Sequence, residues 1–256
     1  MAMDGDITFT WYGHACVEVG TPGGRTVLID PWFGNPRSPK TADAVSACDL
    51  LLVTHGHGDH MGDAVALASR LRPAWPCIHE MSLWLGRQLP GGSDQVTGMN
   101  KGGTVESAGL KVTMTSAAHS AGDWNADGGV PLYLGEPAGF VVELENGYRF
   151  YHAGDTDVFG DMRLIGELHR PDIALLPIGG HYTMGPREAA KAVELLGVKH
   201  VIPIHYGTFP LLSGTPDQFR ASLAERGLGD VTVYALEPGG LARVKAPAAA
   251  AAAAVS

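Results

Sequence analysis

Cysteine is scarce in this chain: three residues in 256, Cys16, Cys48 and Cys77, an odd number with no Cys-x-x-Cys spacing. That excludes a disulfide framework as the basis of the fold and points to a reducing, cytoplasmic setting. Charge is sparse too, at 18% of residues, and the balance is acidic, with 18 Lys and Arg against 27 Asp and Glu for a net −9. A broad electrostatic grip on nucleic acid needs clustered cations, so no nucleic-acid partner is expected. Outside the alanine-rich C-terminus no apolar run reaches the roughly 18 residues that a membrane span needs, and none is expected. The opening Met-Ala-Met-Asp-Gly-Asp is neither basic nor apolar, which speaks against a secretory leader.

Glycine and proline are plentiful instead. The 35 Gly and 17 Pro imply many tight loops in a chain that is 45% hydrophobic and long enough to bury a substantial core. One domain is expected over residues 1–245. The tail 246–256 is low-complexity, its side chains are too small to form a core, and disorder is expected there.

Short β-rich runs come first: Ile7 to Trp11, Cys16 to Val19 and Thr26 to Ile29, the last two separated by Thr21-Pro22-Gly23-Gly24. Leu50 to Val53 reads as a buried strand, followed by a helix around Val65 to Leu71. Strands are also expected near Lys111 to Thr115, Phe140 to Leu144, Tyr148 to Tyr151, Ile173 to Leu176 and Val198 to Ile204. Asn146-Gly147 marks a hairpin between the second and third of these, residues 140–151. Pro186 opens a helix that Gly197 ends, and Thr215-Pro216-Asp217-Gln218 has capping-box spacing for a last helix. Residues 120–138 read as a long irregular loop, made functional rather than disordered by Trp124, Leu132, Tyr133 and Leu134. Each half thus runs from strands into a strand–helix alternation, which predicts β layers covered by outer helices, an α/β sandwich of two similar halves.

Against this background residues 54–60 stand out: Thr-His-Gly-His-Gly-Asp-His. Three imidazoles and a carboxylate within six positions serve no packing purpose, and they are common ligands for zinc and its neighbours. The glycines let the backbone curl so that successive side chains meet at one spot. A loop this short cannot aim all four groups at one ion, so partners are expected at other strand ends. His119, Asp155 in Tyr-His-Ala-Gly-Asp-Thr and His205 in Pro-Ile-His-Tyr-Gly-Thr-Phe-Pro are the candidates. His152 is a candidate to orient a ligand, and His79, His169 and His200 are left as structural.

Taken together, His-x-His-x-Asp-His, a lone His, a Gly-Asp-Thr aspartate and a late His resemble the metallo-β-lactamase-fold hydrolases across about residues 7–240. Tyr-Leu-Gly-Glu-Pro-Ala-Gly-Phe and Leu-Leu-Pro-Ile-Gly-Gly narrow the resemblance to small prokaryotic metal-dependent hydrolases of unassigned substrate, related to the ascorbate-phosphate lactonases. The resemblance implies a four-layer αβ/βα sandwich and two divalent ions, zinc first, with manganese, iron or nickel as alternatives. It implies that His55, His57 and His119 hold one ion, that Asp59, His60 and His205 hold the other, and that Asp155 bridges them. A shared hydroxide would then be the nucleophile, with Asp59 orienting it or passing its proton on. His14 and His181, in glycine-flanked loops, are expected to contact substrate, and His181 also to serve as an acid or oxyanion donor.

His57, where an oxygen-reductase branch carries a carboxylate, and Asp155, where β-lactamases carry cysteine, speak against those chemistries. The chain is too short and acidic for the RNA-processing branch, and it lacks the basic C-terminal helices of glutathione thioesterases. A small-molecule ester, lactone or phosphodiester remains as the expected substrate, with Arg37, Arg187 and Lys101 as candidate phosphate contacts. The alternative is a metal-binding or sensory domain without turnover. Assembly into a homo-oligomer is compatible with the sequence.

Overall fold

The strand periodicity of the sequence becomes two large sheets packed face to face, with two small two-stranded sheets beside them. The structure is a computed structural model that describes residues 5–92, 94–125 and 130–245, with 123–125 described as backbone only. The expected tail and part of the expected irregular loop lie outside the described residues.

The first half comprises strands β1 (Ile7–Trp11), β2 (Val17–Gly20), β3 (Thr26–Ile29) and β4 (Leu50–Leu52), helices α1 (Gly58–Met61) and α2 (Ala64–Leu71), then β5 (Trp75–Ile78), α3 (His79–Gln88) and β6 (Val96–Met99). Next come β7 (Thr104–Ser107), β8 (Leu110–Ser116), β9 (Asp123–Asn125), β10 (Val130–Leu132), β11 (Ala138–Glu143) and β12 (Arg149–His152). The chain continues through α4 (Met162–His169), β13 (Ile173–Pro177), α5 (Pro186–Leu196), β14 (His200–Ile204), α6 (Pro216–Glu225), β15 (Thr232–Val233) and β16 (Leu241–Val244).

One sheet has the order β16-β1-β2-β3-β4, the other β15-β14-β13-β12-β11-β8-β7. β1 alternates buried and half-buried residues along its length, the pattern of a strand with one face on the core. β4 and β13 are buried throughout. Phe9 of β1 meets Phe150 of β12 edge to face at 5.7 Å, so the inner faces of the two sheets interdigitate. Amphipathic α4 and α5 bury Met162, Ile165, Ala189, Ala190, Val193 and Leu196. The result is the α/β sandwich of metallo-β-lactamase type that the sequence implied.

Strand direction places the site. β1, β3 and β4 run the same way, because β2 is antiparallel to both β1 and β3, and β3 is parallel to β4. In the other sheet β8 and β12 are both antiparallel to β11, and β12, β13 and β14 are mutually parallel. Within each sheet the C-terminal ends of these strands therefore emerge at one edge, where open α/β sheets bind ligands. The reverse edge is tied by polar contacts. Thr21, in the β2–β3 turn, donates its hydroxyl to Glu145 in the β11–β12 turn at 2.9 Å, and Arg25 lies 3.4 Å from the same carboxylate.

Several local expectations hold to the residue. α5 opens on Pro186 and closes on Gly197 in the left-handed region, and Thr215 and Gln218 form the reciprocal capping box. Gly147 turns the β11–β12 hairpin at φ +84°. The expected irregular loop differs: β9 and β10 pair antiparallel within it, Leu132 facing Asp123 in the register. The register there joins residues five to nine apart in strands of three residues, too short for a search along the sequence for alternation.

Candidate metal centre

Each candidate side chain follows the C-terminal end of a strand. His14 follows β1, Asp30 follows β3, and the histidine cluster follows β4; His119, Asp155, His181 and His205 follow β8, β12, β13 and β14. These exits are sharp. His14, Asp30, His181 and His205 all have φ between +46° and +55°, and Gly154 before Asp155 has φ +63°. Such conformations are costly for residues with a Cβ and persist where the surroundings over-determine them, often at functional sites.

The cluster itself divides as a short loop must. His55 and His57 precede α1, whereas Asp59 and His60 lie within its single turn. Ligand atoms of His55, His57 and His119 lie within 4.8 Å of one another, as do those of His14, Asp59, His60 and His205, and those of His55, His60 and Asp155. All seven expected ligands thus converge, and His14 joins them.

Buried nitrogen and oxygen atoms meet here without making proper hydrogen bonds. Asp155 Oδ2 is 3.0 Å from His205 Nε2, 3.3 Å from His60 Nε2 and 3.6 Å from His119 Nε2. Yet His60 Nε2, His205 Nε2 and Asp155 Oδ1 have no partner with hydrogen-bond geometry. Leaving such groups buried and unaligned is expensive. A donor set of imidazole nitrogens and carboxylate oxygens aimed at common points fits divalent ions well, because a cation satisfies several lone pairs at once.

Hydrogen bonds around the set orient it. Asp30, fully buried, accepts from Thr54 N–H and Thr54 Oγ1 at 2.8 Å and from His60 Nδ1 at 2.8 Å. That leaves His60 Nε2 to face Asp155, the carboxylate–histidine arrangement that fixes a ligand's tautomer. Thr54 Oγ1 also lies 3.0 Å from His55 Nδ1, which directs His55 Nε2 toward the cluster. His14 Nδ1 is 3.0 Å from Thr208 Oγ1 and its Nε2 is 3.0 Å from Asp59 Oδ2. With Thr208 donating its hydroxyl proton, His14 is the Nε2–H tautomer and donates to Asp59. His152 is buried and accepts from Gly154 N–H through Nδ1 at 3.2 Å, so it braces the turn that presents Asp155.

The electrostatics follow from burial and neighbours. Burial pushes the His14 imidazolium down to about 4, against the opposing pull of Asp59, so His14 is neutral near pH 7. Burial alone would raise the Asp59 and Asp155 carboxyls. The His14 hydrogen bond and His60 outweigh it at Asp59, and His205 and His60 outweigh it at Asp155, so both stay ionised. Burial lowers His55, with His60 adding to it, and burial also lowers His119. His60 is the exception: burial pushes it down, but Asp155 and Asp30 hold it well above the usual histidine range.

A cavity of about 320 Å³ opens on the cluster, walled by His14, His57, Asp59, His119 and His205 together with Ser120, Tyr182, Phe209 and Leu212. His181 is exposed and does not line it; Tyr182, the next residue, does. Lys101 pairs with Glu136 at 2.6 Å, and Arg37 lies 3.4 Å from Glu237 with its guanidinium over Trp11. Neither these nor Arg187 line the cavity.

Sequence reasoning missed Asp30. It follows an apolar strand and precedes Pro31, which reads as a turn, and its partner His60 is 30 positions away. It also missed Tyr182 and Phe209, whose signal was only their adjacency to candidate histidine loops.

Known proteins resemble this chain in sequence and fold. The β-lactamase superfamily domain matches residues 25–206. A UPF0173 metal-dependent hydrolase of Rubrobacter xylanophilus is 48% identical over 238 residues, covering 93% of this chain and 96% of its own length. Another, from Archaeoglobus fulgidus, is 50% identical over 231 residues, covering 90% and 96%. Among solved structures, the metallo hydrolase Igni18 from the archaeon Ignicoccus hospitalis superposes with a TM-score of 0.82 at 35% identity, covering 94% of this chain and all of its own.

Proposed function

Since the chain belongs to the β-lactamase superfamily, among its UPF0173 metal-dependent hydrolases, we propose that it uses two divalent ions to split a small ester, lactone or phosphodiester with water. The observation that carries the two-ion reading is the convergence of seven ligand residues into overlapping groups that share His55 and His60. In this reading His55, His57 and His119 hold one ion, Asp59, His60 and His205 the other, and Asp155 both. Zinc suits these donors best, with manganese, iron and nickel open by the same chemistry. When bound, such a pair lowers the pKa of water and stabilises negative charge on the attacked group.

The chain's own residues then orient and move protons. Asp59 stays ionised and is held by the His14 Nε2–H bond, so besides ligating an ion the carboxylate keeps a lone pair that would accept a proton from the attacking water and return it to the leaving oxygen. Thr208 keeps the His14 proton on Nε2 by donating to Nδ1. Asp30 acts the other way on His60: it accepts from Nδ1–H, which leaves Nε2 to hold an ion. Three buried free cysteines support a reducing, cytoplasmic location.

The test combines elemental analysis of protein purified without added metal with an ester, lactone and phosphodiester panel. Two ions per chain, turnover abolished by chelation and restored by metal, and loss of turnover in Asp59→Asn with the fold retained are the expected results. Turnover indifferent to chelation, or tight metal binding with no turnover on any substrate, would overturn it; the latter is what a sensor gives.

A further inference from the structure

We infer that the cavity selects an uncharged carboxylic ester or lactone carrying an aromatic or branched apolar group, and that Tyr182 and Phe209 are the residues that select it. The inference rests on the hydrolase reading above and narrows its substrate.

Its basis is the composition of the wall. Beyond the imidazoles and Asp59, the cavity is closed by Tyr182, Phe209, Leu212 and Ser120, and among the described residues no Lys or Arg lines it. A phosphorylated substrate is ordinarily met by guanidinium or ammonium groups, which supply charge-assisted and bidentate hydrogen bonds. The three cations best placed in the sequence for that task are outside the wall, two of them engaged with Glu136 and Glu237. Bound ions would hold the scissile group of an ester or of a phosphate alike, so the wall beyond them is what discriminates.

The apolar side is built outward from the site. Phe209 packs 5.9 Å from the His14 ring and 6.0 Å from Trp32, so an aromatic surface begins at the buried histidine and ends at the mouth. Tyr182, Phe209 and neighbouring Leu211 are 55%, 39% and 52% exposed, large apolar groups held in water at the entrance. An apolar substituent that covers them removes that surface from water as it binds. A volume of about 320 Å³ admits one ring or a short branched chain beside the scissile group. Hydrolysis there joins water's oxygen to the carbonyl carbon and breaks the acyl carbon–oxygen bond. One water proton passes to the departing alkoxide, and the new carboxylic acid releases its own to solvent.

Two measurements on the full chain test this. With metal bound, the variants Phe209→Ser and Tyr182→Ser, both at exposed positions, are compared with the parent on phenyl butyrate, methyl acetate and bis(p-nitrophenyl) phosphate. The ratio of kcat/KM for phenyl butyrate over methyl acetate is expected to fall about tenfold in Phe209→Ser, the scale of one lost apolar contact in a pocket. The metal-free chain is separately titrated with phenylacetamide and with phenyl phosphate; it is expected to bind the amide, more weakly in Phe209→Ser, and not the phosphate. An unchanged ratio in both variants, or preference for the phosphodiester or for phenyl phosphate, overturns the inference while leaving the hydrolase reading intact. Amide binding that depends on Phe209 in a chain without turnover supports the cavity assignment and sinks the hydrolase reading instead.

Discussion

His60 sits between two carboxylates, and its protons should report on metal loading. Asp30 is 2.8 Å from Nδ1 and Asp155 3.3 Å from Nε2. In the metal-free chain these carboxylates outweigh burial and keep the ring protonated on both nitrogens. A metal ligand needs a bare nitrogen. Adding zinc to metal-free protein at pH 7 is therefore expected to release about one proton from this residue, read with an indicator dye in weak buffer. Release that persists undiminished in His60→Ala would show that the proton comes from elsewhere.

Four further histidines at the site, His119 half-buried and the rest buried, shape the pH dependence of the metal-free chain. His14, His55, His119 and His152 are all lowered, with burial the first cause in each. In the unfolded chain they protonate near pH 6.5. Their stabilising contribution is thus complete above that value and is lost as the pH falls toward their folded values, about 4 for His14. His60, raised, works the opposite way: its contribution is present below about pH 6.5 and lost as the pH rises through its folded value. Four groups against one predict a urea midpoint that falls when the metal-free chain is taken from pH 7 to pH 4. A midpoint flat over that range would contradict the buried neutral imidazoles. At the same scale, His14→Ala is expected to cost about 10- to 100-fold in kcat, as for loss of a partner that orients a metal ligand, and Thr208→Val less.

At the scale of elements, the turns after the strands carry the geometry. Gly154 sits at φ +63°, and a Cβ there would lie 2.8 Å from Thr54 Cβ and 2.9 Å from the Ala138 carbonyl oxygen. Gly154→Ala is expected to destabilise by about 1–3 kcal/mol, through strain and displaced backbone, and to lower metal affinity because Asp155 follows directly. Calorimetry and metal titration on the same variant check both. The strands and helices feeding such turns were legible in the sequence, because β1, β3 and α5 carry local signals: alternation, a short apolar run, a proline start with a glycine stop. All seven proposed ligands were legible too, from residue type and motif order. Asp30, Tyr182 and Phe209 were not. Their roles come from neighbours 30 or more positions away or from the path of a loop, and neither leaves a periodic trace.

At the scale of the molecule, the proposed ligands come from both sheets. His55, His57, Asp59 and His60 follow β4 in one, and His119, Asp155 and His205 follow strands of the other. Ions held there as proposed would tie the two sheets together in the folded state alone. Removing them is expected to lower the melting temperature: by mass action an ion present at about 100 times its dissociation constant adds about 2.7 kcal/mol. Thermal unfolding with and without chelator measures the loss, and equal melting temperatures would contradict ligation from both sheets.

The Thr21–Glu145 tie belongs to the edge opposite the turns that carry the proposed ligands. Chemistry and mechanical closure are thus assigned to opposite rims of the sandwich. The hairpin at Asn146-Gly147 becomes a natural handle: a reporter peptide or surface tether inserted between those residues, with Glu145 kept, should leave turnover untouched.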